Sequence, residues 1–294
     1  MLGSNRRRMS RTLCLILASF AVILMSASSP AQSQEADTLD AAARYSAKSF
    51  PVIKAAEEVS LSKVKTHPEM VADVIRHFTG VQIKDYGGAG GLKTVNVRSL
   101  GSEHVGVFLD GIQVDNAQNM QVDLGRFSTE GMGTISLYNG QKAVRLQTAK
   151  EYAAGTAIHL DSKVPTGSGG HLRLGGGSLG TINPSLELHR VSRKISMTAS
   201  AEFLYSSGKY KYRCFDTTLV RENADIRSLR LETQLFGRLK KGDWRVRVYS
   251  YGSERGFPGP VIRRALGFPF SAERQADQDF FVQGAWSQNW TGRY

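Results

Sequence analysis

The 294-residue chain is short of cysteine, of long apolar runs and of any dense block of one charge, and each shortage removes a class of protein. Its two cysteines are Cys14 and Cys214. Cys14 sits in the apolar stretch Leu13 to Met25, so removal of that stretch leaves one thiol, which can form no internal disulfide and fits no metal-ligand spacing. Beyond Met25 no run approaches the roughly 20 apolar residues that a membrane-crossing helix needs. The six histidines (His67, His77, His104, His159, His171 and His189) show no paired ligand spacing, and no Gly-x-Ser-x-Gly elbow occurs. Asp110 near His104 reads as an aspartate heading a turn and not as half of a catalytic dyad. No catalytic residue, metal ligand or cofactor is expected.

Basic residues are numerous, with a net charge of +12, but they are spread through alternating segments. They do not cluster with stacking aromatics as nucleic-acid grooves require, so no nucleic-acid partner is expected and they read as a solvated polar face. Four of them, Arg6, Arg7, Arg8 and Arg11, precede the apolar run Leu13 to Met25, and the small residues of Ser29-Pro30-Ala31 follow it. Basic, then apolar, then small is the layout of a secretory signal peptide, expected over residues 1–31. Its loss removes four arginines and no acid, lowering the net charge from +12 to +8.

Three zones follow. Residues 32–50 are polar and alanine-rich without a period, as in a flexible leader. Residues 51–165 are mixed and compact: Pro68 opens a helical pattern carried by Val71, Val74, Ile75 and Phe78, and Gly80 stops it. Short strands are expected at Thr94 to Arg98, Val105 to Leu109 and Thr134 to Tyr138, with Asp110-Gly111 as a turn. This zone reads as a small α+β domain.

Residues 166–294 change period. Ile195, Met197, Ala199, Ala201, Phe203 and Tyr205 line one face of a strand, and Ser196, Thr198, Ser200 and Glu202 the other. Six such strands are expected, near 169–176, 182–190, 194–205, 226–239, 243–252 and 277–290. A soluble sandwich and a transmembrane barrel share this alternation. The connectors favour the barrel: Val191-Ser192-Arg193 and Lys240-Lys241-Gly242 are tight, whereas polar loops of roughly 20 residues follow the third and fifth strands. Gly175 to Gly180 matches the dinucleotide fingerprint, and Gly87 to Thr94 approaches a P-loop. Neither is followed by the helix whose N-terminus would hold phosphate, so nucleotide binding is excluded.

The run from Ala72 to Gln141 carries Thr79-Gly80-Val81, the glycine-rich loop Gly87 to Gly91, the strand Thr94 to Arg98 and the strand and turn Val105 to Gly111, then Ile135 to Gly140. It closely resembles the plug domain of TonB-dependent outer-membrane receptors, with Ser99 where the family has glycine; Tyr251 to Pro260 extends the likeness weakly into the barrel. Its wording resembles receptors of Bacteroides-type bacteria grouped with cobalamin transporters. The resemblance implies a plugged barrel of about 22 strands in outer-membrane lipid, loading of a corrinoid or an iron-siderophore, and coupling to a TonB-type energy-transducing protein, with a surface lipoprotein as a further partner.

It assigns ligand contacts to Asp85 and Tyr86 and to Asp115, Asn116, Gln118 and Asn119. It places the TonB box near Glu35, Ala36, Asp37, Thr38 and Leu39, and structural roles at Gly87, Gly88, Gly91, Arg98, Asp110 and Gly111, with Arg98 as a buried arginine paired inside the lumen. Six strands cannot enclose a plug of this size, so a fragment of a longer receptor is expected. The alternative is a periplasmic or surface ligand-binding module that does not transport. In that case the apolar face of the sheet should pack on the plug, whereas in a membrane barrel it should point outward.

Overall fold

A computed structural model describes residues 55–61, 70–86, 90–115, 121–140, 148–214, 217–258 and 273–288. The expected signal peptide, leader and TonB box lie outside them, as do Gly87, Gly88, Asn116, Gln118 and Asn119.

The plug comprises β1 (Glu57–Ser60), α1 (Val71–Ile75), β2 (Val81–Asp85), β3 (Lys93–Val97), β4 (Val105–Leu109), β5 (Ile112–Gln113), β6 (Met132–Tyr138), α2 (Ala149–Ala153) and β7 (Thr156–Ser162). Its main sheet has the order β1-β6-β7-β4-β5, and β2 with β3 forms a separate hairpin. Only the β4–β7 pair of that sheet is parallel, and the plug chain between these two strands supplies the crossover. Val71, Ala72, Val74 and Ile75 of α1 are buried in one core with Val107, Leu124, Ile135, Leu137, Ile158 and Leu160. Val71, Val74 and Ile75 are residues the three- and four-residue spacing predicts; Phe78 joins the same core from beyond the helix end, and Ala72 is an addition. The helix ends earlier than expected, at Ile75, and it is Gly80, with φ +74°, that turns the chain toward β2 at a conformation glycine adopts without cost.

The second part holds β8 (Gly169–Gly177), β9 (Thr181–Val191), β10 (Ile195–Ser206), β11 (Lys211–Cys214), β12 (Thr217–Val220), β13 (Ile226–Leu239), β14 (Gly242–Gly256) and β15 (Arg274–Gln288). Strands β8, β9, β10, β13, β14 and β15 form one antiparallel sheet in that order, as expected from the alternation. Among the described residues the sheet does not close: β8 and β15 each pair on one side. One expectation is corrected here. The long polar loop between the third and fourth strands contains a hairpin, β11 with β12, in which Tyr212 pairs with Leu219 and Arg213 with Thr218. The run Thr217 to Val220, with three β-branched residues in four, is the signal that the loop's overall polarity hid.

The six-stranded sheet is inverted relative to a soluble sheet. Along β10 the polar Ser196, Thr198, Glu202 and Ser206 are buried, and the apolar Ile195, Phe203 and Tyr205 are exposed. Leu174 is 78% exposed, Phe280 66% and Trp286 63%, while Arg230, Glu232, Gln234 and Arg247 are buried. Apolar side chains therefore face outward and the charged face packs on the plug. The sequence reading of a solvated polar face is corrected accordingly: Arg230, Arg247 and Glu202 are withdrawn from water because the plug covers them.

Candidate functional site

The charged face of the sheet and the plug meet in three clusters. The first is built on Asp110. This residue has φ +51° and Gly111 has φ +81°, so the β4–β5 turn uses two left-handed residues, as an Asp-Gly pair allows. The carboxylate accepts from Ser162 N at 3.0 Å and Ser162 Oγ at 2.7 Å. It also lies 3.0 Å from Arg245 and 2.8 Å from Arg247, both on β14. Arg245 donates in addition to the Asp110 carbonyl, and Arg247 reaches Glu232 of β13 at 3.2 Å. Asp110 does head a turn, but it is also the buried acid that holds the plug to the wall. His104 is exposed and takes no part in this cluster.

The second cluster surrounds Arg126, in the short 3-10 turn Leu124–Arg126, whose start is capped by Asp123 accepting from Gly125 N at 3.0 Å. The Arg126 guanidinium pairs with Asp279 of β15 and lies 3.6 Å from Asp277 and 3.2 Å from Asp123. Burial works against its charge, but Asp279, Asp123 and Asp277 together hold its pKa above the ordinary arginine value. The Arg126 carbonyl accepts from Arg230 Nε at 2.7 Å and from the Tyr249 hydroxyl at 2.6 Å. Arg230 also donates to the Gly125 carbonyl at 3.2 Å and to Glu202 at 2.6 Å. The Tyr249 ring stacks between Phe127 of the plug, with centroids 6.0 Å apart, and Phe281 of β15, at 4.6 Å.

The third cluster is centred on Glu130, which accepts from Arg173 Nε of β8 at 3.1 Å and from Ser185 Oγ of β9 at 2.9 Å. Beside it, Gly131 N donates to Glu187 of β9 at 3.1 Å.

At the opposite end of β14, Arg255 donates to the Gly90 carbonyl in the plug's glycine-rich loop. The Asp110 turn and the glycine loop thus contact one strand ten residues apart, about 33 Å at the rise of an extended strand. A side chain at Gly90 would collide with Ile226, so this close approach requires glycine.

The residues assigned to ligand contact fare differently from one another. Asp85 pairs with Lys93 inside the plug. Asp115 accepts from Gln113 at 2.7 Å and lies 2.9 Å from Lys150. Tyr86, by contrast, is exposed, and Gly91 is buried beside Gly90. Arg98 is corrected: it is exposed, with φ +51°, in the reversal after β3, where its N–H donates to the Gly80 carbonyl at 2.9 Å. The buried, paired arginines are Arg230 and Arg247 of the wall. Sequence reasoning missed them because alternation reveals that a face is polar, not that another domain covers it.

An α+β domain whose polar surface docks on the charged face of an antiparallel sheet, with the sheet's apolar face outward, is the arrangement of a plugged barrel. Residues 57–150 match the family described as TonB-dependent Receptor Plug Domain. Over 87 residues the chain is 32% identical to the vitamin B12 transporter BtuB of Vibrio cholerae, covering 30% of this chain and 14% of that protein. The fold superposes on a mutant of the ferric enterobactin receptor PfeA from Pseudomonas aeruginosa with TM-score 0.56 at 13% identity, covering 81% of this chain and 39% of that one. The pyoverdine-bound receptor FpvA of P. aeruginosa gives TM-score 0.57 at 14% identity, with 80% and 31% covered. The chain thus carries, over residues 57–150, the plug domain of TonB-dependent receptors, followed by strands that share the fold of the PfeA and FpvA structures. It spans about a seventh of the length of the curated relative it matches.

Proposed function

We propose that the chain is the plug and leading wall of a receptor that takes up a scarce ligand across the outer membrane, driven by a TonB-type protein. The observation that carries this reading is the inverted sheet: apolar side chains such as Leu174, Val282 and Trp286 point away from the plug, and the buried charges point into it. A ligand-binding module in water would instead bury the apolar face on the plug. Unpaired edges in lipid are costly, so the open edges of β8 and β15 call for further strands to complete a wall around the plug.

The ligand we favour is a corrinoid, which the BtuB likeness across the plug supports; a ferric siderophore is the second choice, supported by the folds of PfeA and FpvA. Contacts would come from the exposed Tyr86 and from the loop holding Asn116, Gln118 and Asn119, with Asp85 and Asp115 shaping the two loops through Lys93 and Lys150. Glu35 to Leu39 would serve as the TonB box, and a surface lipoprotein could cap the receptor. Equilibrium dialysis of cyanocobalamin against the folded receptor tests the ligand. Saturable binding weakened at least about tenfold, some 1.4 kcal/mol, by Asn116→Ala with Gln118→Ala is expected. Absence of binding would overturn the corrinoid reading and direct the same assay to ferric siderophores.

A further inference from the structure

The geometry points to a divalent transition-metal site that clips the plug to the wall at Glu130, His171, Glu187 and His189. The donor atoms of Glu130, His171 and Glu187 all lie within 4.8 Å of one another. They come from three separate segments: the turn before β6, strand β8 and strand β9. The β8–β9 ladder sets His171 opposite Glu187, and Gly169 opposite His189. Each carboxylate has one oxygen committed elsewhere. Glu130 Oε1 accepts from Arg173 and Ser185, and Glu187 Oε2 accepts from Gly131 N. Their second oxygens turn to the imidazoles: Glu130 Oε2 is 3.3 Å from His171 Nε2, and Glu187 Oε1 is 3.7 Å from His189 Nδ1.

Two observations favour a cation there over a plain polar cluster. His189 Nδ1 is shielded from solvent and has no hydrogen-bond partner among the described residues, a state that costs free energy unless something fills the gap. No lysine or arginine among the described residues pairs with Glu187, and the nearby Arg173 is engaged by Glu130 and, at 3.8 Å, by Glu202. Two carboxylates and the His171 imidazole, with the His189 imidazole beside Glu187 as the fourth donor to be drawn in, make a mixed nitrogen and oxygen set that suits Zn2+ and its neighbours more than Ca2+ or Mg2+. The half-exposed His171 leaves a path for the ion to enter. The ion would cross-link the plug to the first two wall strands, close to where the chain passes from one into the other. This site does not depend on which ligand, if any, the receptor transports.

The test is metal binding to the full chain folded in detergent. Zn2+ titrated calorimetrically should bind one per chain. Co2+ in its place should give the visible d–d bands of a site with nitrogen and oxygen ligands, and Zn2+ should bleach them. His171→Ala, His189→Ala and Glu187→Gln should each weaken binding by about tenfold or more, while His104→Ala, at an exposed histidine outside the cluster, should not. Circular dichroism of each variant separates lost ligation from lost folding. Zn2+ should also slow proteolytic cleavage of the plug in the unaltered chain and not in His171→Ala. Unaltered affinity in the folded histidine variants, or Zn2+ bound with no defined stoichiometry, would overturn the site.

Discussion

The carboxylate of Asp110, held at a left-handed turn of the plug, lies 2.8 Å from the guanidinium of Arg247 on the wall, and both side chains are buried. Removing one partner of a buried pair costs about 3–5 kcal/mol where the other charge is stranded, and the low end applies here because Arg247 keeps Glu232 at 3.2 Å. Asp110→Asn is the informative change, since asparagine also tolerates the left-handed turn; the charge is lost, together with one of the two acceptor oxygens that face Ser162 and the arginines. Its expected result is a stability loss of about 3 kcal/mol in urea unfolding, with plug release preceding loss of the strands. Asp115→Asn, whose partner Lys150 is largely exposed, should by contrast cost under about 1 kcal/mol.

Tyr249 contributes through both its hydroxyl and its ring. The hydroxyl donates to the Arg126 carbonyl, which Arg230 Nε also reaches, so Tyr249→Phe leaves that carbonyl with a donor. The expected loss is therefore near the low end for a buried hydrogen bond, about 1 kcal/mol. Tyr249→Ala also removes the ring from between Phe127 and Phe281 and should cost about 3–5 kcal/mol. A chemical-denaturation series with both variants separates the two contributions; equal losses would deny the ring its role.

Much of this arrangement was legible in the sequence because period and turn chemistry are local. Six alternating segments gave the six wall strands to within a few residues, and Asp110-Gly111 gave the turn. The plug helix followed from the spacing of Val71, Val74 and Ile75. The clusters were not legible, because they join residues far apart in sequence: Asp110 meets Arg245 across 135 positions, and Arg126 meets Asp279 across 153. The glutamate and histidine group escaped for the same reason, since His171 and Glu187 are neighbours only through the β8–β9 register. Arg98 was misjudged because an arginine beside a strand reads as a buried partner, while its positive φ, visible only in three dimensions, places it in an exposed reversal.

The outward face can be tested at Val248, which is exposed near the middle of β14. Opposite it on β15 stands Val282, also exposed. If this face meets hydrocarbon, Val248→Arg should cost about 2–4 kcal/mol and reduce the folded fraction recovered in lipid vesicles. Val248→Leu should leave that fraction unchanged. Heat-modifiable migration on gels reads the folded fraction, and equal recovery of the arginine variant would argue that the face is bathed in water.

Acid sensitivity should trace in part to Asp225, in the turn leading into β13. Two hydrogen bonds from Arg274, at 2.8 and 3.0 Å, hold its carboxyl below the ordinary aspartate value, against the opposing effect of burial. Because the folded pKa is the lower one, the pair's contribution is complete above the unfolded aspartate pKa of about 3.9 and is lost as pH falls through the folded value. Stability measured from pH 7 downward should hold to about pH 4 and then decline with a slope that Asp225→Asn makes shallower. The variant should be less stable than the unaltered chain at pH 7 and should approach it in strong acid, where both carry a neutral side chain. Parallel curves over the whole range would show that Asp225 and Arg274 exchange no net stabilisation in solution.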